Sequence, residues 1–262
     1  MAINTQTLIQ PHTIELHLPE PLASDSLRIV QNCNPHVELW QEQDRLLIAE
    51  KDFLFDQVGF FTFRPFPEAK DIDEEWLEWL NSQHHFKIET NADGTIIIHM
   101  LTTGIIATFT LLIGTVVVLW NREHKKGRIH GESAGYLLPD PSEEGKTMMR
   151  APDVSYIAYD KASKEQQNTW KYREVAPSLC IEVVSAKADT NKELRKMQRD
   201  WMASGTEIGL VVDPHAELFY VFEQGKEGFE QCNFSQVFKH QALQGLAIDF
   251  EALLNEAKEE EE

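Results

Sequence analysis

Between residues 101 and 120 the mixture of apolar and charged positions found elsewhere in the chain breaks off, and LTTGIIATFTLLIGTVVVLW carries no charge. About 20 such residues are what a membrane-crossing helix needs. The run is nevertheless two-sided at the helical period. Ile105, Ile106, Phe109, Leu112, Ile113, Val116, Val117 and Trp120 make a bulky side, while Gly104, Ala107, Thr108, Thr110, Gly114 and Thr115 make a small or hydroxyl-bearing one. A buried helix is expected, with its small side open to close approach by a second subunit and with membrane association as the alternative. The basic flank NREHKK fits the positive end of a span.

Upstream, residues 1 to about 75 alternate short apolar runs with turn formers and end in the aromatic-rich FLFDQVGFFTFRPFPEAK, whose prolines mark a linker or edge. DIDEEWLEWLNS predicts a short helix capped by Asp71 or Asp73, with Trp76, Leu77, Trp79 and Leu80 on its apolar side. HHFKIETNADGTIIIHM predicts a β-hairpin turning at Asn91-Ala92-Asp93-Gly94. HVELWQEQDRLLIAE, about 49 residues earlier, has the same strand-turn-strand character, so a duplicated hairpin and a chance echo are both open.

Downstream, strands are predicted at 127–129, 136–138, 154–158, 179–184, 207–212 and 218–222, with a helix over 190–203 started by Asp189 or Thr190 and ended by Gly205. A helix, a run of antiparallel strands and a strand-helix-strand crossover make an α/β or α+β sheet layered with helices.

Charge changes the picture more than composition does. Lys and Arg number 24 against 43 Asp and Glu, a net charge of −19, and such a surface repels phosphate at long range. DNA as a partner is therefore disfavoured globally, although Arg122, Lys125, Lys126 and Arg128 form a local basic cluster. Part of the excess is the run EAKEEEE, read as a solvated tail over 256–262. The first residues contain no basic segment leading into an apolar core, so no secretory signal is expected. Three widely separated cysteines support neither a disulfide framework nor a zinc cluster, and a cytoplasmic location is the simplest expectation.

Two acids stand where packing does not want them. Asp153 opens a strand after Pro152, and Glu182 lies inside the apolar LCIEVV. A carboxylate in a buried strand is costly unless it is paired or holds a cation. Two such acids on adjacent strands offer hard oxygens to Mg²⁺, completed by a carbonyl and waters. A strand-end acid beside an edge-facing glutamate is the other reading.

RAPDVSYIA, PSLCIEVVSAKAD and KELRKMQRDWMASGTEIGLVVDP, with DEEWLEWLNSQHHFKIETNADGTIII, WNREHKKGRIHGESAGYLLPD and LQGLAIDFEALL in order around them, resemble the Uma ("Uma two") family. That family consists of restriction-endonuclease-like proteins, variants of the PD-(D/E)xK nuclease fold abundant in cyanobacteria. The resemblance covers roughly residues 72–255. It implies a mixed α/β sheet flanked by helices, preceded by a β-rich extension over 1–71. It implies a metal-dependent endonuclease that hydrolyses phosphodiester bonds in DNA with Mg²⁺ or Mn²⁺. Asp153 and Glu182 match the family's metal-binding acids, with the backbone carbonyl of Val183 a third ligand. Glu89 matches an acidic position of the family's hairpin.

The lysine that orients the attacking water does not fall on the family pattern. Two residues after Glu182 stands Val184, and four before Trp201 stands Met197. Lys196 is adjacent, and a one-residue insertion before Gly205 would align it. If Leu194, Met197 and Trp201 form the buried stripe of a regular helix, Lys196 lies about 100° away from it. Lys192 and Lys187 are the other candidates, and for each lysine alone a solvated helix face is the simpler role. Three functional classes stand at this point: the endonuclease, which leads through the resemblance, an interaction or structural module that keeps the fold, and a membrane-associated derivative. A homodimer is the expected assembly.

Overall fold

We describe the computed structural model of the chain over residues 13–51, 58–66, 73–83, 87–100, 102–141, 145–171 and 173–259. Asp71, Leu101 and the last three residues of the acidic run lie outside them.

The chain begins with β1 (Thr13–His17), α1 (Ser24–Cys33), β2 (Val37–Glu42) and β3 (Arg45–Glu50), which form a three-stranded antiparallel sheet ordered β1-β3-β2 with α1 between its first two strands. β4 (Phe60–Phe63), α2 (Glu74–Ser82), β5 (Ile88–Thr90) and β6 (Ile96–His99) follow. Asp73 caps α2, its side chain accepting the Trp76 N–H at 2.8 Å. The hairpin β5-β6 closes through Gly94 at φ 80° and the Thr95 N–H donating to Asp93 Oδ1 at 2.9 Å. Both echoing segments are hairpins, β2-β3 and β5-β6, and they belong to different sheets.

Next come α3 (Gly104–His124), β7 (Gly127–Gly131), β8 (Tyr136–Pro139), β9 (Thr147–Arg150), β10 (Val154–Ala158), α4 (Lys164–Thr169) and β11 (Leu179–Val183). A helix, α5 (Thr190–Lys196), runs on into a π turn, Met197–Met202, and is followed by β12 (Ile208–Asp213), β13 (Leu218–Glu223), β14 (Glu230–Asn233), β15 (Phe238–Lys239), β16 (Ala247–Ile248) and α6 (Phe250–Glu259). The central sheet has the order β14-β13-β12-β11-β10-β7, and a second sheet has the order β4-β6-β5-β9-β8. β11 and β12 are parallel and joined through α5, while their outer neighbours β10 and β13 pair antiparallel. This is the mixed α/β sheet flanked by helices that the sequence predicts. Residues 256–259 of the acidic run continue α6, with Ala257 buried.

Side-chain alternation divides the central sheet into two faces. Leu179, Ile181 and Val183 of β11 point to one face, into the core under α3 and α6. Cys180 and Val184 point to the other, under Met197 and Trp201. Glu182 lies between Cys180 and Val184 in that alternation, so its carboxylate faces the π turn.

The uncharged helix α3 buries Ile106, Phe109, Ile113, Val117 and Trp120 against the sheet and α6. Each contributes about 1.5–3 kcal/mol by leaving water. Trp120 Nε1 donates to the Gln244 carbonyl at 2.9 Å. The bulky side read from the sequence is thus the inward one. The small side is less uniform than expected. A Cβ on Gly114 would meet Val154 in the sheet at 3.5 Å, and the outer surface carries Leu111, Val118 and Leu119, exposed by 70%, 40% and 53%. By length and composition alone α3 passes as a membrane span, with 28% of its most apolar window buried inside the protein.

A third core joins the N-terminal sheet, α2 and the hairpin, including Leu16, Ile48, Phe63, Trp76, Ile96 and Ile98. One close contact ties this part to the central sheet. The Gly59 N–H donates to Asp189 Oδ2 at 2.6 Å, and a Cβ on Gly59 would lie 2.8 Å from that oxygen. Asp189 precedes α5 as expected, but its side chain makes no cap bond to the helix. The carboxylate is spent instead on Gly59 and on Lys192 Nζ at 2.6 Å.

Candidate active site

The register Val154↔Ile181 between β10 and β11, extended by one residue, sets Asp153 opposite Glu182. The Val183 N–H donates to Asp153 Oδ2 at 2.7 Å, and Lys87 Nζ donates to Asp153 Oδ1 at 2.9 Å. Glu182 Oε1 lies 2.9 Å from Lys196 Nζ and accepts the Trp201 indole N–H at 2.7 Å. Glu182 Oε2 has no donor among the described residues. The two acids, Val183 and Glu193 border one small cavity of about 20 Å³, room for a single water or ion.

The hairpin supplies the opposite wall. Lys87 and Glu89 are two apart, so they project to one side of the β5 path. Glu89 is fully buried. Its Oε1 accepts the Ala151 N–H at 2.9 Å and lies 3.0 Å from Lys196 Nζ, and its Oε2 lies 3.5 Å from His99 Nε2. Arg150 locks hairpin to helix by donating to Thr90 O at 2.7 Å, to Asn91 Oδ1 at 2.8 Å and to Asp200 Oδ2 at 2.7 Å.

Alongside Lys87, Lys196 is therefore the one of the three lysines offered by the sequence that the structure brings to the acids. Its side chain is 9% exposed, so the solvated-face expectation is corrected, and so is the expected 100° displacement. The cause is the π turn. With five residues instead of four per hydrogen-bonded turn, Lys196 and Trp201 come onto one face, and the extra residue needed to align Lys196 is stored there. Val184, in the orthodox lysine position, is a buried core residue. Lys192 stands at the rim, paired with Asp189 and 4.7 Å above the Phe60 ring. Lys187 is exposed on the turn before α5 and borders neither the small cavity nor the neighbouring cleft of about 440 Å³.

Burial raises every carboxylate here, and the cations decide which ones stay raised. Glu89 is held well below its ordinary value because Lys196 and His99 overcome its burial. Lys87 and the Val183 N–H do the same, less strongly, for Asp153. Glu182 stays raised, burial outweighing Lys196. Glu193 is pushed up to about 8 by burial, with Lys196 opposing and Glu182, Glu89 and Asp153 adding to the rise. The same carboxylates keep Lys196 charged despite its burial. Burial lowers His99, against the pull of Glu89.

Four carboxyl groups thus surround two ammonium groups, and with Glu193 protonated the other three still leave an excess of negative charge suited to a divalent cation. Among the described residues no three or more His, Cys, Asp and Glu side chains are arranged to hold a metal. A cation here would rest on the Asp153 and Glu182 oxygens and the Val183 carbonyl. The residues fit one: among the described residues Glu193 Oε2 is buried without a hydrogen-bond partner and Glu182 Oε2 receives no donor, and the cavity has the volume of an ion. Sequence reasoning missed Lys87, Glu193 and His99. The first two are readable afterwards, Lys87 as the residue two before Glu89 and Glu193 as the residue one helical turn before Lys196.

The model of the Uma2 family, described as "Putative restriction endonuclease", matches residues 73–253, well over half of the chain. The structure is similar to the crystal structure of a "putative nuclease belonging to DUF820" from Anabaena variabilis, with a TM-score of 0.52 and 16% sequence identity, over 64% of this chain and 90% of that one. That likeness concerns the fold. No curated protein matches the chain.

Proposed function

The chain belongs to the Uma2 family of restriction-endonuclease-like proteins, and from that premise we propose that it is a metal-dependent endonuclease hydrolysing phosphodiester bonds in DNA. The observation that carries the proposal is that Asp153 and Glu182 border a cavity of about 20 Å³ while Lys196 Nζ lies 2.9 Å from Glu182 Oε1. Asp153, Glu182 and the Val183 carbonyl would hold Mg²⁺ or Mn²⁺. When bound, such an ion lowers the pKa of water and neutralises charge developing on the phosphate.

The chain's own groups do the rest. Glu182 anchors the Lys196 ammonium at 2.9 Å, where it can donate to an incoming water or to a phosphate oxygen. Glu89 fixes the other side of that ammonium and the backbone at Ala151, so the lysine is oriented before substrate arrives. Trp201 shares Oε1 of Glu182 and keeps that oxygen turned toward the lysine.

Purified protein with Mg²⁺ or Mn²⁺ is expected to nick plasmid DNA, and Asp153→Ala or Glu182→Ala to abolish nicking while the protein stays folded. Metal-independent thermal stability together with no cleavage would refute the enzyme. That outcome belongs to the second reading, an interaction module that keeps the fold. The observation favouring it is that Lys87 and Lys196 already neutralise part of the carboxylate charge without any metal.

A further inference from the structure

Cationic side chains recur at Lys192, Arg195, Lys196 and Arg199 along the helix that delivers the reactive lysine, three or four apart and so on one side of it. All four border a cleft of about 440 Å³ that shares Glu89 and Lys196 with the carboxylate cluster. Lys196 turns inward to the acids and Lys192 is held by Asp189. Arg195 and Arg199 differ from both: they are exposed, and neither makes an ion pair or side-chain hydrogen bond among the described residues. In a chain of net charge −19, two unpaired guanidinium groups at the mouth of a cleft are a local reversal of sign.

We propose that Arg195 and Arg199 form a phosphate-binding lip that holds the backbone of the nucleic-acid strand entering the cleft toward Lys196. The proposal rests on the endonuclease reading. Guanidinium groups suit the role because their planar fork matches phosphate oxygens bidentately. The long-range repulsion by the acidic surface makes such a lip necessary for any polyanion to dock. The basic cluster seen first in the sequence is misplaced for this purpose. Gly131 pairs with Val154 beside Asp153, whereas Gly127 pairs with Ala158 at the far end of β10. Lys125 and Lys126 precede Gly127, so roughly 13 Å of strand separates that cluster from the site. Arg128 is already engaged with Asn168 and the Gln167 carbonyl.

The test is the salt dependence of binding of a fluorescein-labelled oligonucleotide duplex, with Ca²⁺ in place of Mg²⁺. Each lost phosphate contact removes about 1 from the slope of log K against log salt. The double variant Arg195→Gln/Arg199→Gln is expected to lower that slope by about 2, with an unchanged thermal midpoint because both side chains are exposed. Lys125→Gln/Lys126→Gln is expected to leave the slope as it was. Binding by the unaltered protein with the same slope in the arginine variant would overturn the lip and leave the endonuclease standing. A loss of slope in the lysine variant instead would also overturn the lip. Failure of the unaltered protein to bind would overturn both.

Discussion

Lys196 and Trp201 stand five residues apart and reach the same atom, Oε1 of Glu182, at 2.9 and 2.7 Å. On a regular helix residues five apart diverge by about 140°. They converge here because Met197–Met202 is a π turn. Removing its surplus residue should therefore be tolerated. Deleting the exposed Gln198 would leave Lys196 four residues before the tryptophan, which an ordinary α-helix again places on one face. The deletion is expected to keep DNA nicking and to raise the thermal midpoint or leave it unchanged. Loss of nicking in a folded deletion variant would show that the π turn does more than align the lysine.

Lys87 presents the opposite case, a cation that metal would have to share. Its ammonium occupies Asp153 at 2.9 Å, with the two side chains 20% and 18% exposed. Replacing it by Met leaves an uncompensated carboxylate and should destabilise the metal-free protein, by up to about 3 kcal/mol after allowance for partial exposure. The same change removes a positive charge from beside the cavity. Mg²⁺ titrated during thermal denaturation should then raise the midpoint more in Lys87→Met than in the unaltered chain. An equal or smaller rise would separate Lys87 from the metal site.

Glu193 gives the site a pH dependence of known sign. Its carboxyl rises from 4.5 to about 8 on folding, chiefly through burial. The folded chain therefore holds a proton that the unfolded chain has lost, and stability from this group, complete below about pH 4.5, drains away as pH climbs through 8. Glu193→Gln stays uncharged throughout. In EDTA, its thermal midpoint relative to the unaltered protein should climb steadily between pH 5 and 9. A pH-independent difference would mean that Glu193 does not titrate in that window.

The legible parts of the molecule were those with a simple period. β10, β11, the hairpin and the crossover through α5 follow from apolar alternation and turn residues, and the two acids stood out because their neighbours are apolar. β9 escaped because TMMR lacks the β-branched alternation of a strand, and its role depends on Arg150 reaching across to Asp200 and Asn91. The lysine was only half legible. Residue counting shows that one residue is surplus but cannot say which turn absorbs it, and a regular period turns Lys196 away from the acids. Asp189 had the position of a cap, yet its carboxylate is committed to Gly59, 130 residues earlier. Partnerships of that reach are set by the packing of whole sheets, which leaves no local trace.

That reach governs when the chemistry proposed for the site becomes available during synthesis. Glu89 and Lys87 leave the ribosome well before Lys196, on the order of ten seconds at ordinary translation rates. Until α5 docks, Glu89 of the hairpin and Glu182 of β11 lack the lysine that lies between them. The last piece to be made is the one that completes the charge cluster. On the proposed reading, cutting would become possible only after the crossover has closed.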